Sequence, residues 1–345
     1  MNPVLPIADD DTPVLAALCP PTTREQYVLA ELVGRPPRRP TRLFLAALLA
    51  AVVASSVLQA AFRENAGGDE AAEYQVEAIH DVAYVEGAEA DAKKHKLDLY
   101  LPKEKGGFPV VLFVHGGAWT TGDRKNFGIY EALGKMFASH GVGAVVISYR
   151  LSPGVKHPEH VQDVARAFAW TKQHIAEYGG RIDGLFVSGH SAGGHLTALL
   201  ATDESYLKAV GCSLSDVRGA MPMSGVYSVP EKLFTKVFGE DAAVRDGASP
   251  RRHVRSGCPP FLIVYGSKDY PSCDRASEDF AKALREQNVA AETLKVDGRN
   301  HINLITRASD ANDPCGQALV DFVLKHTSDA EPPTKEPRAA STSGE

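Results

Sequence analysis

Short apolar runs recur along the middle of this chain, separated by longer stretches of helical periodicity. KLDLYLP (Lys96–Pro102) places Leu97, Leu99 and Leu101 on one face, the period-two pattern of a strand. PVVLFVH (109–115), GAVVISY (143–149), LFVSGH (185–190), GAMPMSG (219–225) and PFLIVYG (260–266) are nearly continuous apolar runs. Strands covered on both faces of a parallel sheet read this way. AETLKV (291–296) is half polar and belongs near an edge. The clearest helix opens at Pro158, carries Val161, Val164, Ala165, Phe168 and Ile175 on one stripe, and stops at Gly179-Gly180. This alternation predicts one doubly wound α/β domain over residues 76–327, long enough to bury a core of its own.

The flanks follow other patterns. Residues 1–42 are rich in Pro, Asp and Arg without periodicity and read as a disordered tail. Residues 43–62, Leu43 to Phe62, carry no charge and would reach about 30 Å as a helix, the thickness of a bilayer's hydrocarbon. Arg35, Arg38, Arg39 and Arg42 precede the run, and Arg63 and then Glu64, Asp69, Glu70 and Glu73 follow it. The basic flank should stay inside and send the domain outward. An uncleaved transmembrane anchor would leave the domain extracytoplasmic on a membrane. A cleaved signal peptide would leave it secreted or periplasmic, although the run is long for one and lacks an Ala-x-Ala exit. A soluble helix is the third reading. Residues 63–75 form a linker, and 328–345 have the composition of a second disordered tail.

Composition narrows the function classes. The chain has 345 residues, 44% hydrophobic and 23% charged, with a net charge of −6. Nothing here resembles a basic nucleic-acid face. The cysteines, Cys19, Cys212, Cys258, Cys273 and Cys315, form no C-x-x-C pair, so no metal site is expected. They read as small buried apolar residues. A bridge from Cys273 to Cys258 or to Cys315 in an oxidising compartment stays open.

The candidate chemistry begins at GHSAGGH, Gly189 to His195, between an apolar strand and the helical run that starts at Ala192. A sharp strand-to-helix turn exposes a serine, with glycines two residues to either side, and aims the next amide at an oxyanion. Ser191 is thus a candidate nucleophile and Ala192 N–H a candidate donor. Upstream, HGGAW (His115 to Trp119) ends another strand, and its glycines let backbone amides approach an oxyanion, with Gly116 and Gly117 as the expected donors. Two later strands end at Ser267-Lys268-Asp269 and at DGRNHINL, which contains His301. Ser191, Asp269 and His301 follow the order of an acid–histidine–serine triad in an open α/β sheet, all at C-terminal strand ends. Asp274 and Asp297 compete for the acid's place without directly ending an apolar strand. His115, His190, His195 and Asp163 read mainly as structural, with His190 also a pocket candidate.

Together HGGAW, SYRLSP (Ser148 to Pro153), GHSAGGH, GSKD and DGRNH resemble the α/β-hydrolase superfamily over roughly residues 76–327. Within it they resemble carboxylesterases, hormone-sensitive-lipase-like enzymes, isoprenylcysteine methylesterases and kynurenine formamidases. The resemblance implies an α/β-hydrolase fold, a mostly parallel eight-stranded sheet flanked by helices, and hydrolysis of esters or amide-like bonds without a cofactor. Hormone-sensitive-lipase-like members usually carry HGGG and GDSAG, and formamidases HGGYW; here Ala118 and His190 stand at the variable places.

The segment from Val226 to Pro259 reads as a short lid insertion, or equally as a surface helix. Tyr227, Phe234 and Phe238 in it, with Trp119, are the candidate pocket residues. The expected activity is a serine esterase acting on small or medium carboxylic esters. An arylformamidase is the alternative, and a non-catalytic ligand-binding member of the fold the remote one.

Overall fold

Eight strands build one sheet in the computed structural model, which describes residues 74–328. They are β1 (Val76–Ala83), β2 (Lys96–Pro102), β3 (Phe108–Val114), β4 (Gly143–Ile147), β5 (Gly180–His190), β6 (Gly219–Met223), β7 (Phe261–Gly266) and β8 (Ala291–Val296). The tail 1–42, the apolar run 43–62, most of the linker 63–75 and the tail beyond Ser328 lie outside the described residues. Among the described residues no helix is long and apolar enough to cross a membrane.

The spatial order is β1-β2-β4-β3-β5-β6-β7-β8. β1 and β2 pair antiparallel, as do β2 and β4, while every later pairing is parallel. The helices on the two faces are α1 (Ile129–Ser139), α2 (Glu159–His174), α3 (Ala192–Thr202), α7 (Cys273–Glu286), α8 (His301–Thr306) and α9 (Pro314–Ser328). Between α3 and α7 come three short helices, α4 (Glu204–Lys208), α5 (Thr235–Phe238) and α6 (Ala242–Gly247).

Side-chain alternation sorts the central strands between two cores. Val110, Leu112 and Val114 join α2 and α3 residues such as Val164, Phe168, Leu196 and Leu199 in one cluster. Val111 and Phe113 join Leu133 and Phe137 of α1 and Leu319 and Val323 of α9 in the other. Each fully buried aliphatic or aromatic side chain contributes roughly 1.5–3 kcal/mol, so the continuous apolar runs are what hold the strand ends in register. The expected stripe of α2 is fully buried, and the helix ends through a tight turn into Gly179, which adopts φ 85.

Two details depart from the sequence reading. β1 was not anticipated, because it is an edge strand with a mostly open face and a register shift near Asp81, whose φ is 63. β2 buries both faces rather than one: Asp98 is only 1% exposed and accepts from Arg124 Nε at 2.9 Å and from the Asp81 amide at 2.8 Å. The half-polar β8 does lie at the opposite edge. Cys212, Cys258, Cys273 and Cys315 are free thiols, and all but Cys273 are buried.

Candidate active site

Backbone crowding explains the turn after β5. Gly193 is packed so closely that a Cβ there would lie 2.0 Å from the Val114 carbonyl oxygen, and one on Gly189 would lie 2.5 Å from the Gly193 oxygen. Only glycine fits either place, so strand and helix can meet at a sharp angle. Between them Ser191 takes φ 58 and ψ −117, a strained conformation for a residue with a side chain. Its amide donates to the Met223 carbonyl at 2.8 Å, which ties the turn to the end of β6. α3 then runs buried along its whole length.

Three loops bring their side chains to Ser191. The Ser191 hydroxyl donates to His301 Nε2 at 2.8 Å, and His301 Nδ1–H donates to Asp269 Oδ1, also at 2.8 Å. This tautomer follows from the acid: a carboxylate on Nδ1 needs the proton there, leaving Nε2 to accept. Asp269 is held in turn by the Ser224 hydroxyl at 2.5 Å on Oδ2 and the Tyr270 amide at 2.7 Å on Oδ1. Burial alone would raise its pKa. The hydrogen bonds from His301, Ser224 and the Tyr270 amide outweigh that and hold the carboxyl well below the usual carboxylate range. His301 opens α8, whose cap is reciprocal: Asn300 Oδ1 accepts from the Ile302 and Asn303 amides, and Asn303 Oδ1 accepts from the Asn300 amide.

Neither rival acid reaches the histidine. Asp274 is exposed and accepts from the Arg275 amide at the start of α7, and Asp297 is exposed beyond β8. Asp163 is a buried structural anion, gripped by Arg150 at 2.7 Å and Arg166 at 2.9 Å.

The oxyanion loop differs from the expectation at one residue. Gly116 N–H donates to the buried Tyr130 hydroxyl at 3.0 Å, so it is already spent. Gly117 (φ 117) and Ala118 (φ 50) follow in a turn that no β-branched residue would adopt. Among the described residues, the amides of Gly117, Ala118 and Ala192 donate no backbone hydrogen bond. Ala118 thus has the free amide that was expected of Gly116. His115 is local support: its Nδ1–H donates to the Gly116 carbonyl at 2.6 Å while its ring stacks on Tyr149 at 4.3 Å. Burial pushes its pKa down to about 4.

The pocket candidates divide. Trp119 is 1% exposed and packs edge-on against Phe234 and Phe238, each at 5.0 Å. Its indole N–H donates to His195 Nδ1 at 3.3 Å, and His195 Nε2–H donates to the Ala248 carbonyl at 2.7 Å. His195, read as structural, is the bolt between the oxyanion loop, α3 and the insertion. Phe234 is the exposed member of this group at 36%. Tyr227 does not line the site: it is buried and stacks on Phe280 of α7 at 4.3 Å, part of the core. His190 does not line it either, being 4% exposed with Nε2 bonded to the His301 carbonyl at 2.9 Å.

Ser224, Tyr270 and Tyr130 were not singled out from sequence. Tyr270 stacks on the His301 ring at 4.3 Å and remains 46% exposed, so it forms part of the rim. Its position next to Asp269 was the only signal available. Two clefts elsewhere, of about 450 and 650 Å³, are walled by α4 with Arg252–Arg255 and by α1 with α9, and touch none of these residues. Among the described residues no group of three His, Cys, Asp or Glu side chains is arranged to hold a metal ion.

A mostly parallel eight-stranded sheet, with a serine on a strained turn after its fifth strand, defines an α/β-hydrolase. The chain has that fold. Residues 97–213 match the family model described as BD-FAE. A probable isoprenylcysteine alpha-carbonyl methylesterase (ICMEL1) of Arabidopsis thaliana is 29% identical over 240 residues, covering 62% of this chain and 50% of that protein. Esterase LipQ of Mycobacterium tuberculosis is 32% identical over 232 residues, with 62% of this chain and 55% of that protein covered. The chain thus spans about half the length of these relatives. Among solved structures, a truncated carbohydrate esterase from gut microbiota superposes with a TM-score of 0.64 at 20% identity, over 76% of this chain and 99% of that one. Esterase B from Lactobacillus rhamnosus HN001 gives 0.62 at 22% identity, over 82% and 95%.

Proposed function

We propose that this chain is a serine hydrolase of carboxylic esters. The observation that carries the reading is the continuous hydrogen-bonded line from Ser191 through His301 to Asp269, ending beside uncommitted amides. Relatives named as esterases and methylesterases support the same bond type.

The steps follow from the geometry. Ser191 Oγ attacks the ester carbonyl carbon as His301 Nε2 takes its proton, and Asp269 stabilises the imidazolium that results. The carbonyl oxygen becomes an anion within reach of the Gly117, Ala118 and Ala192 amides, each such donor lowering the barrier by about 3–4 kcal/mol. His301 returns the proton to the departing alcohol and leaves an acyl-Ser191. Water, deprotonated by the same nitrogen, then releases the acid and restores the serine. Tyr270, stacked on His301, and Phe234, packed edge-on against the buried Trp119, are the exposed aromatic rings here, which suits small or medium esters.

The test is the full chain and its Ser191→Ala variant on p-nitrophenyl esters of increasing acyl length, with N-formylkynurenine in parallel. Serine-dependent ester turnover is expected, at least 10³-fold above the variant. Formamide turnover exceeding that of every ester would transfer the protein to the arylformamidases. Equal ester turnover by parent and variant would remove Ser191 from the mechanism.

A further inference from the structure

We propose that His190 is a positioning residue for the catalytic base, strapping the backbone of His301 to the strand that carries Ser191. The proposal rests on the serine-hydrolase reading above.

His301 reaches Ser191 from the far side of the sheet. Its loop follows β8, two strands beyond β6, and its side chain is oriented by Asp269 at the end of β7. Each of those supports lets an error in the position of β7 or β8 propagate to the Nε2–Oγ distance. His190 is the direct link. It is the last residue of β5, next to Ser191 in sequence, and its Nε2–H donates to the His301 carbonyl at 2.9 Å. The two imidazole centroids lie 4.7 Å apart.

The His190 ring has no freedom to turn away. It is 4% exposed, and its other edge faces the oxyanion loop: a Cβ on Gly116 would come within 3.2 Å of His190 Nδ1 and 3.3 Å of Ser191 Cβ. One side chain thus spans the oxyanion loop, the nucleophile turn and the base loop. Its donor must be Nε2–H, because a carbonyl offers only an acceptor. An aspartate at this position, as in GDSAG chains, would set acceptor against acceptor.

A misplacement of about 1 Å between reacting groups costs on the order of 100-fold in rate, and that is what the strap prevents. A residue serving only to fill space would affect stability, or substrate affinity through the pocket. A positioning residue affects every step in which His301 moves a proton, and leaves binding alone.

Glutamine and asparagine separate these roles. The amide nitrogen of Gln can occupy the place of Nε2, whereas that of Asn reaches only as far as Nδ1. The experiment compares the full chain with His190→Gln, His190→Asn and Ser191→Ala. It measures kcat and KM on p-nitrophenyl acetate, the rate of inactivation by diisopropyl fluorophosphate, and the thermal midpoint. His190→Asn should lose about 100-fold in kcat and a similar factor in inactivation rate, with KM within about twofold and the fold retained. His190→Gln should recover to within about tenfold of the parent.

Parental kcat in His190→Asn would overturn the proposal, as would a change confined to KM, or a folded His190→Gln as slow as His190→Asn. If His190→Asn does not fold, a folded and fast His190→Gln supports the strap and a folded, slow one refutes it. Failure of both to fold would make His190 a packing residue and also refute it. Activity surviving in Ser191→Ala would instead defeat the underlying hydrolase reading, a result separate from all of these.

Discussion

The turn around Ser191 and the insertion between β6 and β7 meet at Trp119, and they are built on opposite terms. Around Ser191 the constraints are backbone on backbone: glycines admit no Cβ, α3 is buried throughout, and His190 and His195 are locked by carbonyl acceptors. The insertion is two short helices, with Leu233 56% and Phe234 36% exposed at its tip. It is tied down by a few side chains: Phe238 against Trp119, and Arg245 reaching the carbonyls of Pro230, Leu233 and Gly239. The difference separates two jobs. The line from Ser191 to Asp269 is framed by backbone contacts that leave no room for a larger residue, while the surface beside it rests on side chains with room to change.

The largest effect should come from the rigid region's acid. Asp269→Asn cannot hold His301 in the same tautomer, and kcat should fall by about 10⁴, while Asp274→Asn should match the parent. Steady-state kinetics on one short ester decides between them. A fall of less than tenfold in Asp269→Asn would mean that the wrong carboxylate supports the base.

Buried histidines on both sides of this division should set the acid limit of stability. Burial pushes His190 and His195 down to about 3 and His115, His157 and His160 down to about 4. Unfolded, each titrates near 6.5, so between about pH 6.5 and 4 the unfolded chain binds protons that the native one refuses. Stability must therefore fall as pH drops through that window, each histidine steepening the slope by up to about 1.4 kcal/mol per pH unit. Urea midpoints from pH 7 to 4 measure it. A flat profile would mean that these rings are accessible to protons.

The smallest effect should lie in the insertion. Phe234→Ala removes an exposed ring from Trp119 and should leave kcat on an acetyl ester within about threefold, changing mainly KM along an acyl series. A hundredfold loss of kcat would show that the insertion shares the rigidity of the nucleophile turn.

The same division governs what could be read from the residues. Buried strands and the α2 stripe were legible because burial on both faces leaves a continuous apolar signature. β1 was not, since an edge strand with one open face has none. Ser191, Asp269 and His301 were legible by their place at strand ends. Ser224 and Tyr130 were not, because a single hydroxyl carries no pattern until the fold brings it to Asp269 or to the Gly116 amide. Because that last contact is invisible in the sequence, Gly116 was taken as a donor and Ala118 overlooked. Tyr227 misled for a related reason: an aromatic in an insertion reads alike whether it faces the site or, as here, stacks beneath α7 on Phe280.

Covalent labelling shows whether its place in this turn makes Ser191 nucleophilic. The full chain should react with diisopropyl fluorophosphate to give one stoichiometric adduct, located on Ser191 by peptide mass spectrometry and absent from His301→Ala over the same time. No adduct on the folded protein, or one on another residue with Ser191 unmodified, would contradict the account.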